Sequence, residues 1–85
     1  MSNKTKITPI IYTVCVELTY RDKTYTSEYN EMTNGEIMDL TDTINEVISG
    51  NMYPFTINNK KDTFFFGENV LKESIITIYK SIKTT

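Results

Sequence analysis

From Ile10 to Tyr20 the chain alternates with a period of two. Ile10, Tyr12, Val14, Val16, Leu18 and Tyr20 fall on one side, and Thr13, Cys15, Glu17 and Thr19 on the other, with Ile11 as the exception. Successive side chains of a strand point to opposite faces, so this pattern describes one long strand with a buried and an open face. The enrichment in β-branched and aromatic residues points the same way. A single strand cannot bury its apolar row alone. The rest of the chain must therefore supply a sheet around this strand and a layer over one face.

Arg21-Asp22-Lys23 is a polar break, and alternation resumes from Thr24 to Tyr29, with Tyr25 and Tyr29 expected on one face. Two alternating runs joined by a short turn predict a hairpin. Thr33-Asn34-Gly35-Glu36 has the S/T-x-x-E form of a capping box. Ile37, Leu40, Ile44, Val47 and Ile48 then recur at helical spacing, and Ser49-Gly50-Asn51 supplies a stop. A helix over about Gly35 to Ser49 follows. Met52 to Ile57, with Pro54, and Thr63 to Phe66 predict a second hairpin around the turn Asn58 to Asp62. Ser74 to Tyr79 is rich in β-branched residues and predicts a strand, although Leu71, Ile75, Ile78 and Ile82 also fit a helical period. The expected order is β-β-α-β-β-β: an α+β fold, a small, mainly antiparallel sheet with one amphipathic helix on one face. With 85 residues the chain is one domain, residues 1–8 being expected as a disordered tail.

Composition narrows the chemistry. The chain has no His and one Cys, Cys15. It therefore offers no imidazole base, no His ligand, no disulfide within the chain and no Cys-rich zinc set. Cys15 lies mid-strand, where a structural role is expected. No spacing matches S-x-x-K, G-x-S-x-G, a phosphate loop or a calcium loop. No enzymatic activity, cofactor or metal is expected. No apolar run reaches the roughly 20 residues of a membrane span, and the N-terminal residues do not form a signal-peptide core. A cytoplasmic location without membrane contact is the expectation.

The net charge of −2 is unevenly spread. No Lys or Arg occurs from Thr24 to Asn59, a stretch that holds Glu28, Glu31, Glu36, Asp39, Asp42 and Glu46. General nucleic-acid binding needs a strongly basic face and is not expected. Glu36, Asp39, Asp42 and Glu46 share a sector of the predicted helix at about 100° per residue. This strip is either a solvated helix face or a surface complementary to a basic partner protein. The tyrosines of the first hairpin, Tyr12, Tyr25 and Tyr29, are candidates for the apolar part of such an interface. Arg21, Lys60 and Lys61 lie on predicted turns and are candidates for holding an anionic nucleotide, at a subunit interface in that reading. Ile10-Ile11, Phe64-Phe65-Phe66 and Ile75-Ile76 each place an apolar side chain on both faces of a strand, which suggests a homo-oligomer.

The segment Lys23-Thr24-Tyr25-Thr26-Ser27 followed by the helix, and the later run from Phe64-Phe65-Phe66-Gly67 through Val70-Leu71-Lys72-Glu73-Ser74-Ile75-Ile76-Thr77-Ile78, resemble the small proteins encoded by phages and mobile elements of low-GC Gram-positive bacteria. The resemblance is one of pattern across most of the chain. It implies a viral or mobile-element protein that acts by stoichiometric binding to a host or phage protein, as an inhibitor, an anti-defence factor or an accessory factor. It assigns no role to any individual residue.

Overall fold

The first alternating run is the central strand of the molecule. In a computed structural model that describes residues 10–50 and 54–83, β1 (Ile11–Tyr20) pairs antiparallel with three other strands. β6 (Ile75–Ile82) lies along one side, from Tyr12 opposite Ile82 to Thr19 opposite Ile75. The other side is shared end to end by β2 (Lys23–Thr26), which pairs with residues 17–20, and β3 (Asn30–Thr33), which pairs with residues 11–14. A second, two-stranded antiparallel sheet is formed by β4 (Phe55–Asn58) and β5 (Thr63–Phe66). The helices are α1 (Asn34–Ile48) and the short α2 (Glu68–Lys72). The α+β fold class holds, with mainly antiparallel strands and one main helix packed on one face.

The helix forms where its end signals stand. Thr33 is the N-cap: its Oγ1 accepts from the Glu36 amide at 3.2 Å, and the Glu36 carboxylate accepts from the Thr33 amide at 2.8 Å. Two of the first-turn donors that a helix leaves unpaired are thus satisfied. After the C-cap Ser49, Gly50 takes a φ of 80°, the left-handed conformation that glycine adopts without strain. Ile37, Ile44 and Val47 are buried. Each fully buried side chain of this size is worth about 1.5–3 kcal/mol, so the apolar stripe fixes which side of α1 faces in.

The core lies between the even-numbered face of β1, α1, the β4–β5 hairpin and α2. Val16 and Leu18 meet Ile44, Val47, Phe55, Ile57, Phe66 and Leu71 there, and Ile76 and Ile78 of β6 pack against its margin. Phe64 and Phe66 turn inward beside Tyr25, whereas Phe65 is 70% exposed. Of the other doubled apolar pairs, Ile10 and Ile75 are the exposed members.

Several expectations are corrected. The strand expected from Thr24 to Tyr29 ends at Thr26 as β2; Ser27–Tyr29 form a bulge, and β3 beyond it is a strand that the expected order lacks. Between the Glu17–Thr26 and Val14–Asn30 pairs, β1 contributes two residues, Cys15 and Val16, and the edge contributes three, Ser27, Glu28 and Tyr29. One inserted residue reverses the alternation beyond it. Tyr25 and Tyr29 therefore do not behave as one face: Tyr25 is half-buried and Tyr29 is 73% exposed. The strands also divide between two sheets, and α2 is an element that the expected order lacks. The ambiguous last segment is a strand, extending to Ile82. The expected start at Met52 and the N-terminal tail 1–8 lie outside the described residues.

Candidate functional site

The solvent face of α1 carries the acids that the sequence marks. Ile37, Ile44 and Val47 anchor the inner face, so Met38, Asp39, Asp42, Asn45 and Glu46 project outward, all of them exposed. Met38 is 60% exposed. At about 100° per residue Met38, Asp42 and Asn45 form one ridge, with Asp39 and Glu46 beside it. An apolar, flexible side chain thus stands at the border of an acidic strip. Glu36, the fourth acid, has a local task, because its carboxylate closes the capping box.

The electrostatics of this face work against the helix itself. Asp42 and Glu46 stand at i,i+4, where like charges cost roughly 0.2–0.5 kcal/mol. The last turn holds no basic residue, and Glu46 lies near the helix end that favours cations. Ion pairs form elsewhere: Lys72 with Glu68 at 2.7 Å, Lys83 with Glu31 at 2.6 Å, and Arg21 with Glu73 at 4.0 Å. Among the described residues, none places a cation on Asp39, Asp42 or Glu46.

The three candidate tyrosines are not brought together. Tyr25 belongs to the core margin, its ring 4.9 Å from that of Phe64 and 5.1 Å from that of Phe66. Edge and tilted ring contacts of this kind hold the hairpin against the sheet. Tyr25 thus packs at the core margin while staying only half-buried. Tyr12 is half-buried near the end of β1, with the Lys80 ammonium 5.3 Å from its ring centre. Only Tyr29, in the bulge, is widely open to solvent.

The basic candidates are also separated. Arg21 sits in the β1–β2 turn with a φ of 55°, stacks 5.0 Å over the neighbouring Tyr20 ring and lies at 4.0 Å from Glu73. It borders a shallow depression of about 340 Å³ with Tyr20, Asp22, Lys23 and Tyr25. Lys60 and Lys61 do not line that depression; they are exposed on the β4–β5 turn, where Asn59 Oδ1 accepts from the Lys61 and Asp62 amides at 2.9 Å. The three cations do not converge on one ligand.

Cys15 is buried at 4% exposure, with Sγ 3.3 Å from the Ser27 carbonyl oxygen. A smaller cleft of about 140 Å³ opens beside the bulge, lined by Ser27, Asn30, Met32, Leu40 and Asn58 among others, none of them charged. Among the described residues no three His, Cys, Asp or Glu side chains are placed to hold a metal ion, and no buried side-chain polar atom lacks a hydrogen-bond partner. No helix there is long and apolar enough to cross a membrane.

Compared with protein-family models, with curated proteins and with solved structures, the chain matches none.

Proposed function

We propose that this chain is a non-enzymatic interaction protein that binds a partner protein stoichiometrically, docking the outer face of α1 on a basic surface with an apolar recess. The observation that carries this reading is an exposed Met38 bordering an acidic strip. Met38 is 60% exposed, and Asp39, Asp42 and Glu46 to one side of it have no cation partner among the described residues. A flexible thioether fills irregular recesses, and binding energy concentrates in a few central side chains. The adjacent charge steers a basic partner and rejects acidic ones. The mode of action is occlusion: a small inhibitor or accessory factor covers a surface that its host or phage target needs.

The test is affinity capture from a lysate of the cells that carry the gene. The wild type is compared with Met38→Ala and with Asp39→Lys/Asp42→Lys, each at low and high salt. The reading expects a partner that is retained by the wild type at low salt and lost with either variant. Equal capture by the wild type and both variants, unaffected by salt, would contradict it.

A further inference from the structure

The two edges of the four-stranded sheet are built differently. The β2/β3 edge is interrupted by the Ser27–Tyr29 bulge, carries Lys23, Glu28 and Glu31, and gives one of its free amides, that of Glu28, to the Asn58 carbonyl at 3.1 Å. Bulges, charges and a covering element are the devices that keep a sheet edge from pairing with another chain. Among the described residues the β6 edge has neither bulge nor cover. Ile75–Ile82 runs without a break along β1, contains one charged residue, Lys80, and leaves Ile75, Tyr79 and Ile82 exposed at 71%, 51% and 61%. Among the described residues no strand pairs with its far side.

The direction of its backbone groups follows from the register. The Lys83 amide donates to the Ile11 carbonyl at 2.8 Å, which marks the odd residues of β6 as those bonded to β1. The N–H and C=O groups of Ile76, Ile78, Lys80 and Ile82 therefore point away from the sheet. Two copies of this edge are complementary. A two-fold axis perpendicular to the sheet keeps each side chain on its own face, so paired residues must have the same parity. An axis through Tyr79 pairs Ile76 with the partner's Ile82, and Ile78 with the partner's Lys80. About eight backbone hydrogen bonds then close, two for each hydrogen-bonded pair. The exposed Ile82 gains an apolar neighbour, no like charges are opposed, and the two Tyr79 rings meet on the outer face.

We infer that the protein forms a two-fold dimer through antiparallel pairing of β6 with the partner's β6, which joins the two four-stranded sheets into one. Both α1 helices then lie on the same side of the joined sheet, with their acidic faces free. This inference stands apart from the binding role of α1, because the dimer requires no residue of that face. A single-strand contact is smaller than a standard protein interface, so the dimer is a reversible one.

Sedimentation equilibrium across micromolar to millimolar concentrations tests it. The expected mass rises from 9.9 kDa toward twice that value. Lys80→Pro removes an amide that faces away from β1, a place where an edge strand tolerates proline, and is expected to leave a folded monomer by circular dichroism. Should that variant fail to fold, Ile82→Lys, at an exposed position, is expected to give the monomer. In a Cys15→Ser background, Tyr79→Cys is expected to form a covalent dimer on oxidation, since the pair at the axis lies within disulfide reach. Met38→Cys in that background is expected to stay uncrosslinked. A wild type that stays monomeric at every concentration, a dimer that survives in the folded edge variants, or a Tyr79→Cys dimer that does not crosslink would overturn the inference.

Discussion

The hydroxyl of Ser27 accepts a hydrogen bond from the Val16 amide at 2.9 Å, while the Ser27 amide donates to the Val16 carbonyl at the same distance. One side chain thus replaces a strand carbonyl at the point where the edge of the sheet is broken. Val16 is only 6% exposed, so its amide has little access to water in exchange. Ser27→Ala is expected to lower the unfolding free energy by about 1–3 kcal/mol, the cost of a buried unpaired donor. Urea denaturation of the two proteins checks this, and equal stability would mean that the bulge holds by other contacts.

The capping box makes a second, smaller demand. Thr33→Ala removes the acceptor for the Glu36 amide and is expected to cost about 0.5–2 kcal/mol. Glu36→Ala is expected to destabilise the fold without weakening partner capture, because its carboxylate is turned to the Thr33 amide. Capture lost with Glu36→Ala while the helix content is kept would place Glu36 in the interface after all.

These two contacts also show what the sequence makes legible. Thr33 and Glu36 announce the helix at a fixed spacing, and Ile37 to Ile48 give its inner face. The central strand is equally plain, since only Ile11 departs from its alternation. The bulge is hidden, because Ser27, Glu28 and Tyr29 carry no mark that one of them is surplus; only the register against β1 reveals it. That one residue is why Tyr25 and Tyr29, which parity alone puts on one face, end in different surroundings, half-buried and exposed. Glu68–Lys72 escapes notice for another reason: one turn of helix is too short for a period to develop. The acidic face of α1 is read directly, but the significance of Met38 needs the exposure of its side chain.

Core packing sets the strongest sensitivity. Leu18 is fully buried at 0% exposure, and Leu18→Ala is expected to cost about 2–5 kcal/mol. Domains as a class are stable by only about 5–15 kcal/mol, so this variant is expected to be near its unfolding threshold. Phe65→Ser, at 70% exposure, is expected to change stability by less than about 0.5 kcal/mol. Thermal unfolding of both separates them, and a large loss from Phe65→Ser would reveal a buried environment for that ring.

The Tyr79 hydroxyl donates to Glu17 Oε1 at 2.9 Å across β1 and β6. That hydrogen bond, reinforced by repulsion between the carboxylate and a phenolate, raises the Tyr79 pKa above its ordinary 10.0. A raised value in the folded state means that the contact supports folding below pH 10.0 and is lost as the pH climbs through the raised value. Ultraviolet titration of the wild type against Tyr79→Phe is expected to show one phenol ionising late. Glu17→Gln is expected to bring that phenol back toward the ordinary value. An unchanged curve in Glu17→Gln would remove the carboxylate as the cause.

The account turns on the outer face of α1 being kept acidic for a partner and not for the fold. The most direct measurement takes one variant, Asp39→Lys/Asp42→Lys, and determines both its unfolding free energy and its capture of the partner. Relief of the Asp42–Glu46 repulsion is expected to leave stability unchanged or raised by roughly 0.2–0.5 kcal/mol, while capture is abolished. A folded variant that still captures the same protein with undiminished affinity would contradict the account.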